Sequence, residues 1–251
     1  MDDRPDVPPS DGPFEPAPRQ RQPVFNLPPA LVVSVALLCL IYVVQTYLLS
    51  EEMQETFLVE FGFIPLRYVV PLSEQDMAWL WTPLSYSLLH GGIEHLLFNG
   101  LWLAAFGAPV LRRIGTARFL IFWVLSSTAA AFLHAALNWG DPTLLIGASG
   151  VIAALMGAAC RFAFPLGRAY DRESGHLHPL QSIPASLSNR TVQIFAGLWL
   201  AGNVLVAVGI TLIGDADQAV AWDAHIGGFL FGFLLFGIFD PVRRNRFDTV
   251  A

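Results

Sequence analysis

The sequence predicts an all-α membrane protein, a bundle of six transmembrane helices with both termini in the cytoplasm.

 Three observations carry this. Hydrophobic residues make up 54% of the chain and charged residues only 14%, at a mean hydropathy of +0.53, where soluble domains carry about a quarter charged residues. Six apolar runs cover roughly residues 28–49, 82–110, 117–137, 149–165, 191–213 and 219–239, lengths near or above the ~20 residues a helix needs to cross a bilayer, the fourth being the shortest. Helices are required because unpaired backbone groups are intolerable in hydrocarbon. The third observation is the placement of the 14 cationic residues, all of them Arg.

In chain order, residues 1–27 are rich in Pro, Asp and Arg and read as a disordered cytoplasmic tail, since they hold too little apolar surface for a core. The tail lacks the basic start and small-residue cleavage site of a secretory signal. Residues 28–240 form the membrane domain, and residues 241–251 a second cytoplasmic tail, with no seventh span expected. With six spans, the tails and the loops after spans two and four share one side. That side holds thirteen arginines: Arg4, Arg19, Arg21, Arg112, Arg113, Arg118, Arg161, Arg168, Arg172, Arg190, Arg243, Arg244 and Arg246, against Arg67 alone on the other. A bias of this size sets the arginine-rich side as cytoplasmic.

The loop from about 50 to 80 is then external. It combines Glu51, Glu52, Glu55, Glu60, Glu74 and Asp76 with Phe57, Phe61, Tyr68, Trp79 and Trp81, and is expected to lie partly in the interfacial layer where Trp and Tyr settle. His176 and His178, in the polar segment after span four, read as solvated surface rather than as metal ligands. The net charge of -6 leaves no basic surface for nucleic acid. Cys39 and Cys160 are isolated thiols in or beside apolar runs and make no disulfide framework.

The chemistry-bearing residues lie inside the spans. Gly147-Ala148-Ser149-Gly150 is a small-residue turn that runs directly into an apolar helix. A helix starting near Ser149 leaves its first N–H groups unpaired beside the hydroxyl, at the positive end of the helix dipole. On this segment alone a capping serine and helix-gluing glycines explain the pattern as well. Span two adds His90, Glu94, His95 and Asn99, and span six adds His225 with Gly227, Gly228 and Gly232. Ionisable residues within a span are costly and are functional candidates by default.

Depth groups them. At 1.5 Å per residue, Ser149 lies roughly 18 Å from Arg161, Asn99 roughly 20 Å from Arg112, and His225 roughly 22 Å from Asp240. All three fall in the outer half of a core ~30 Å thick. His95 and Asn99, at i and i+4, share a helix face. His90 and His95, five apart, are expected to point away from each other, and neither zinc-protease His-Glu spacing is present; metal is not expected. Gly228 and Gly232 permit close approach to a neighbouring helix. If that neighbour is span four, through Gly150, Ala153, Ala154 and Gly157, His225 comes within reach of Ser149, the geometry that nucleophile and base require.

With these residues in view, the chain resembles the rhomboid family of intramembrane serine proteases. The resemblance rests on Gly147-Ala148-Ser149-Gly150, His90-x4-His95-x3-Asn99 and Ala224-His225-x-Gly227-Gly228-x3-Gly232, in that family's order on the expected spans over about residues 28–240. It implies Ser149 as nucleophile and His225 as general base without a third acid. It further implies an oxyanion site of His95, Asn99 and the Ser149 N–H, and supporting roles for His90, Gly147, Gly150, Gly228 and Gly232. No cofactor is implied. Expected partners are the lipid bilayer and membrane-protein substrates whose transmembrane segments are helix-destabilised, and the expected location is the bacterial inner (plasma) membrane. A lateral gate of Phe195, Trp199 and Phe229 is also implied.

Two departures stand out. Trp81-Thr82 occupies the place where relatives often have Trp-Arg, and Ala153 the place where some carry an aromatic residue stacking on the histidine. His225 therefore needs another partner. Two other classes of function remain as alternatives: an inactive relative that binds client transmembrane helices, and a transporter using the histidines as a proton relay. The retained Ser149 and His225 oppose the first. The second lacks paired intramembrane charges, having only Glu94.

Overall fold

The computed structural model describes residues 27–164, 175–208 and 221–241. The expected tails, Arg168, Arg172 and the stretch joining the last two apolar runs lie outside these. The described residues are helical, with no strand among them beyond an isolated antiparallel bridge between Phe63 and Leu145. In order the helices are α1 (Pro29–Val43), α2 (Glu51–Phe61), α3 (Ala78–Ser85), α4 (Ile93–Trp102), α5 (Ala108–Leu137), α6 (Ser149–Ala159), α7 (Ile183–Ser188), α8 (Arg190–Ala207) and α9 (Trp222–Phe239). A π turn, Val44–Leu48, extends α1, and another, Leu103–Gly107, joins α4 to α5.

Two continuous runs, Pro29–Leu48 and Ile93–Leu137, are long and apolar enough to cross a membrane. The second is not one rod, because Gly115 (φ 76°, ψ 166°) breaks it inside the gap the sequence leaves between residues 110 and 117. The second apolar run differs more from expectation. It does not form one helix from residue 82. Instead α3 ends in a 3-10 turn (Tyr86–Leu88), residues 89–92 are non-helical, and α4 starts only at Ile93. The adjacent glycines Gly91 and Gly92 are poor helix formers, and Gly92, at the N-cap of α4, is fully extended.

The segment expected to be external is also more ordered than a loop. Ser50 caps α2 by accepting from the Met53 N–H, 3.4 Å. Arg67 donates to the Val59 carbonyl and to Asp76, and Gln75 to the carbonyls of Arg67 and Val70. Trp81 Nε1 donates to the Glu60 carbonyl, and Ser85 to that of Phe61. The indole of Trp81 is thus tied to α2, while Thr82 is fully buried.

Helix α6 is the centre of the bundle. Every residue from Gly150 to Ala159 is buried, and α4, α5 and α9 pack around it. Its 11 residues rise about 16 Å, half of a ~30 Å hydrocarbon core. The surrounding helices turn their large apolar residues outward: Val33 on α1, Leu101 on α4, Leu198 on α8 and Ile238 on α9 are each at least 66% exposed. An exposed apolar belt around a small-residue centre is the arrangement of a lipid-facing bundle.

The closest packing joins α6 to α9. A Cβ at Gly228 would overlap the Gly150 carbonyl, one at Gly232 the Ala154 carbonyl, and one at Gly157 the Phe229 carbonyl. The backbones meet because these positions lack side chains. Both sequences ascend together along the contact (150 with 228, 154 with 232), so the two helices run parallel and begin at the same end of the bundle.

At the opposite end, Arg113 pairs with Asp240 through two hydrogen bonds of 3.0 and 2.8 Å and donates to the carbonyls of His176 and His178. The His176–His178 segment is therefore held against the bundle rather than standing free in solvent. Arg161 is likewise held by the bundle. It is 6% exposed, and its guanidinium donates to the carbonyls of Gln181 and Phe233. The path from Asn99 to Arg112 crosses the π turn Leu103–Gly107.

Candidate active site

Ser149 is the first residue of α6, and its position is fixed by the turn before it. The Phe63–Leu145 bridge (3.0 and 2.8 Å) and a bond from the Gly147 N–H to the Tyr86 carbonyl (2.9 Å) pin residues 145–147. Tyr86 is in turn buried and donates its hydroxyl to the Ser127 carbonyl, 3.0 Å. Gly147 has φ 117°, a conformation that residues with a side chain rarely adopt. A Cβ there would also stand 2.7 Å from the His95 ring and 3.6 Å from Nδ2 of Asn99.

That contact places His95 and Asn99, one turn apart on α4, against the turn preceding Ser149. Asn99 is 5% exposed, and its Nδ2 is a buried donor with no hydrogen-bond partner. Buried donors are nearly always satisfied, so a donor without a protein partner beside a helix N-terminus marks a place for an acceptor, either water or an anion. The first intrahelical bond here runs from the Ile152 N–H to the Ala148 carbonyl, leaving the N–H groups of Ser149, Gly150 and Val151 without intrahelical partners. Together these donors suit a developing negative charge.

From the other side comes α9. His225 lies one turn before Gly228, at the end of α9 that packs on Gly150, and the Ala224 carbonyl stands 3.7 Å from where a Gly150 Cβ would be. The half-buried His225 ring is bound by neither Ser149 nor the neighbouring carboxylate. Asp223 accepts instead from His134 Nδ1 (2.8 Å), Asn138 Nδ2 (2.6 Å) and the Ala224 N–H (2.7 Å). Nδ1 of His225 lies 2.8 Å from Oδ1 of Asn203 on α8. Among the described residues, the hydroxyl of Ser149 makes no hydrogen bond, so the Ser149–His225 bond is open in this structure; such bonds often tighten only with substrate.

His90 corrects the helix-phase expectation. Its ring lies edge-on to that of His95, with centroids 5.1 Å apart, because His90 sits in the non-helical segment before α4 and the five-residue helical offset does not apply. Its carbonyl accepts from Gln45 Nε2 in the first π turn, 3.0 Å. Among the described residues no three His, Cys, Asp or Glu side chains gather as metal ligands. On the α8 side, Trp199 stacks on Phe229 at 4.7 Å, and Phe195 tilts against Phe106 at 5.5 Å.

Sequence reading missed Gln45, Tyr86 and Asn203. Asn203 left a signal: it is the one polar side chain in the apolar run from Ala196 to Val208. It is hard to read because no second polar residue stands at helical spacing from it in that run to mark a functional face.

Comparison with known proteins follows the same residues. A family model described as Rhomboid domain matches residues 78–240. The Rhomboid protease GlpG of Pectobacterium atrosepticum is 30% identical over 163 residues, 65% of this chain and 50% of the relative. Those of Yersinia pestis and Yersinia pseudotuberculosis are 27% identical over 183 residues, 72% of this chain and 54% of theirs. The chain spans about half the length of these curated relatives. A family match across most of the chain, on the segment that holds Ser149, His95, Asn99 and His225, makes this integral membrane protein a member of the rhomboid family.

Proposed function

We propose that this chain is an intramembrane serine endopeptidase, with Ser149 as nucleophile and His225 as general base. The observation that carries the reading is the convergence on Gly147–Gly150: His95 and Asn99 meet Gly147 from α4, and Ala224 and Gly228 meet Gly150 from α9. The orphaned Asn99 Nδ2 adds a donor waiting for an oxyanion.

The chemistry follows from these positions. The Ser149 Oγ attacks a substrate carbonyl while Nε2 of His225 takes its proton. The carbonyl oxygen, now anionic, receives hydrogen bonds from the Ser149 N–H, Asn99 Nδ2 and the His95 ring. Collapse of the tetrahedral intermediate expels the amine, which takes its proton from the His225 imidazolium. Water then repeats the sequence on the acyl-serine and restores both groups. Six spans, cytoplasmic termini and an inner-membrane location complete the reading. In that frame the short α6 sinks Ser149 below the outer surface, and water reaches it from that side. Substrates are membrane proteins whose transmembrane helix is weak enough to unwind and present a carbonyl.

The test is cleavage of a single-pass reporter by purified protein. Ser149→Ala and His225→Ala are each expected to lower cleavage by at least about a thousandfold while still inserting in the membrane. Cleavage retained in either removes the dyad. A binding-only relative would leave wild-type protein unlabelled by a fluorophosphonate probe.

A further inference from the structure

We infer that Asn203 is the positioning residue of the general base: it fixes which ring nitrogen of His225 carries the hydrogen, and ties that choice to the placement of α8. The inference rests on the dyad reading above and adds the group that this reading leaves without a partner.

The hydrogen-bond geometry supplies the logic. Nδ2 of Asn203 donates to the Trp199 carbonyl one turn earlier on α8, 2.9 Å. An amide whose nitrogen is so committed presents its oxygen on the other side, and Oδ1 is the atom 2.8 Å from Nδ1 of His225. An oxygen acceptor requires Nδ1 to be the protonated nitrogen of the neutral ring. The lone pair is then on Nε2, the nitrogen that must take the Ser149 proton. When Nε2 accepts that proton, the Nδ1–H stays on Asn203, and no further proton moves. Without this acceptor the ring is free to hold its hydrogen on Nε2, where it has nothing with which to abstract a proton.

Asp223, the nearest carboxylate in sequence, does not compete for the role, being filled by His134, Asn138 and the Ala224 N–H. Asn203 is 8% exposed, which shields the bond from exchange with water. The partner comes from a different helix than the base. Asn203 and Trp199 are one turn apart on α8, and they meet His225 and Phe229, one turn apart on α9. A displacement of α8 from α9 therefore removes the acceptor from the base, so proton abstraction is switched on only with α8 in place.

Steady-state cleavage of the reporter across pH tests this with Asn203→Leu, Asn203→Asp, Ser149→Ala and His225→Ala. Asn203→Leu keeps the volume and loses the acceptor; it is expected to lower kcat about 10- to 100-fold with KM within about twofold. Asn203→Asp restores an acceptor and adds a carboxylate beside the ring. The titratable groups whose charges already act on His225 are His95 and Asp223. A new anion at residue 203 favours the imidazolium, so the acidic limb of the kcat profile should move to higher pH. This second variant decides the matter if Asn203→Leu does not fold. Wild-type kcat in Asn203→Leu, or an unshifted limb in Asn203→Asp, overturns the inference while inactive Ser149→Ala and His225→Ala leave the dyad standing. Activity retained in Ser149→Ala or His225→Ala removes the dyad, and this inference with it.

Discussion

Asn99 and Gly147 show how single positions set the chemistry. The Asn99 amide has a buried donor with no protein partner, and in the proposed mechanism it meets the oxyanion. Asn99→Ala is expected to lower kcat about 10²- to 10³-fold with little change in KM; a raised KM with unchanged kcat would assign the amide to substrate binding. Gly147 answers to backbone rather than chemistry. Its φ of 117° and the His95 ring leave no room for a methyl, so Gly147→Ala should destabilise by about 1–3 kcal/mol, read as a lowered unfolding temperature in detergent. Ser149, His95, Asn99 and His225 were legible in sequence because polar residues in apolar runs stand out. Asn203 is equally polar but stands alone in its run, with no polar neighbour one turn away as Asn99 has in His95. The His90–His95 contact was illegible for another reason: helical phase was applied across Gly91 and Gly92, where no helix exists.

Among the helices, the pairing of α6 with α9 depends on side chains that are absent. Small residues spaced four apart in both runs made that contact legible, and backbone carbonyls do sit over Gly228 and Gly232. Substituting Gly228 by Val forces the helices apart, and overpacking of this kind costs about 1–3 kcal/mol or more. The expected result is an inserted protein with a lowered unfolding temperature and lost cleavage; wild-type cleavage by Gly228→Val would show that α9 does not need this contact. Element ends were read less well. Composition marks where apolar runs lie, but α6 stops at Ala159 and α3 separates from α4 through local backbone geometry that hydropathy does not encode. The capping of α2 by Ser50 and the bonds from Trp81 and Ser85 onto its last turn likewise depend on partners distant in sequence.

Across the whole molecule, polar clasps hold the two ends of an apolar bundle. One end has His134, Asn138 and Asp223 joining α5 to α9; the other has Arg113 with Asp240, whose side chains are 0% and 2% exposed. Breaking a buried pair by removing one partner costs about 3–5 kcal/mol, so Arg113→Ala should lower the unfolding temperature without altering the labelling of folded protein. The arginine count made Arg113 legible as a topological marker, but its bond to Asp240 joins residues 127 positions apart, a separation that spacing rules do not reach. The central claim is that the N-terminus of α6 and the first turn of α9 form one reactive centre. The most direct measurement is the rate of fluorophosphonate labelling of Ser149 in wild-type and His225→Ala protein, with Ser149→Ala as the blank. The expected result is rapid labelling of the wild type, labelling slowed in His225→Ala by at least about a hundredfold and none in Ser149→Ala; equal rates in wild type and His225→Ala would contradict the claim.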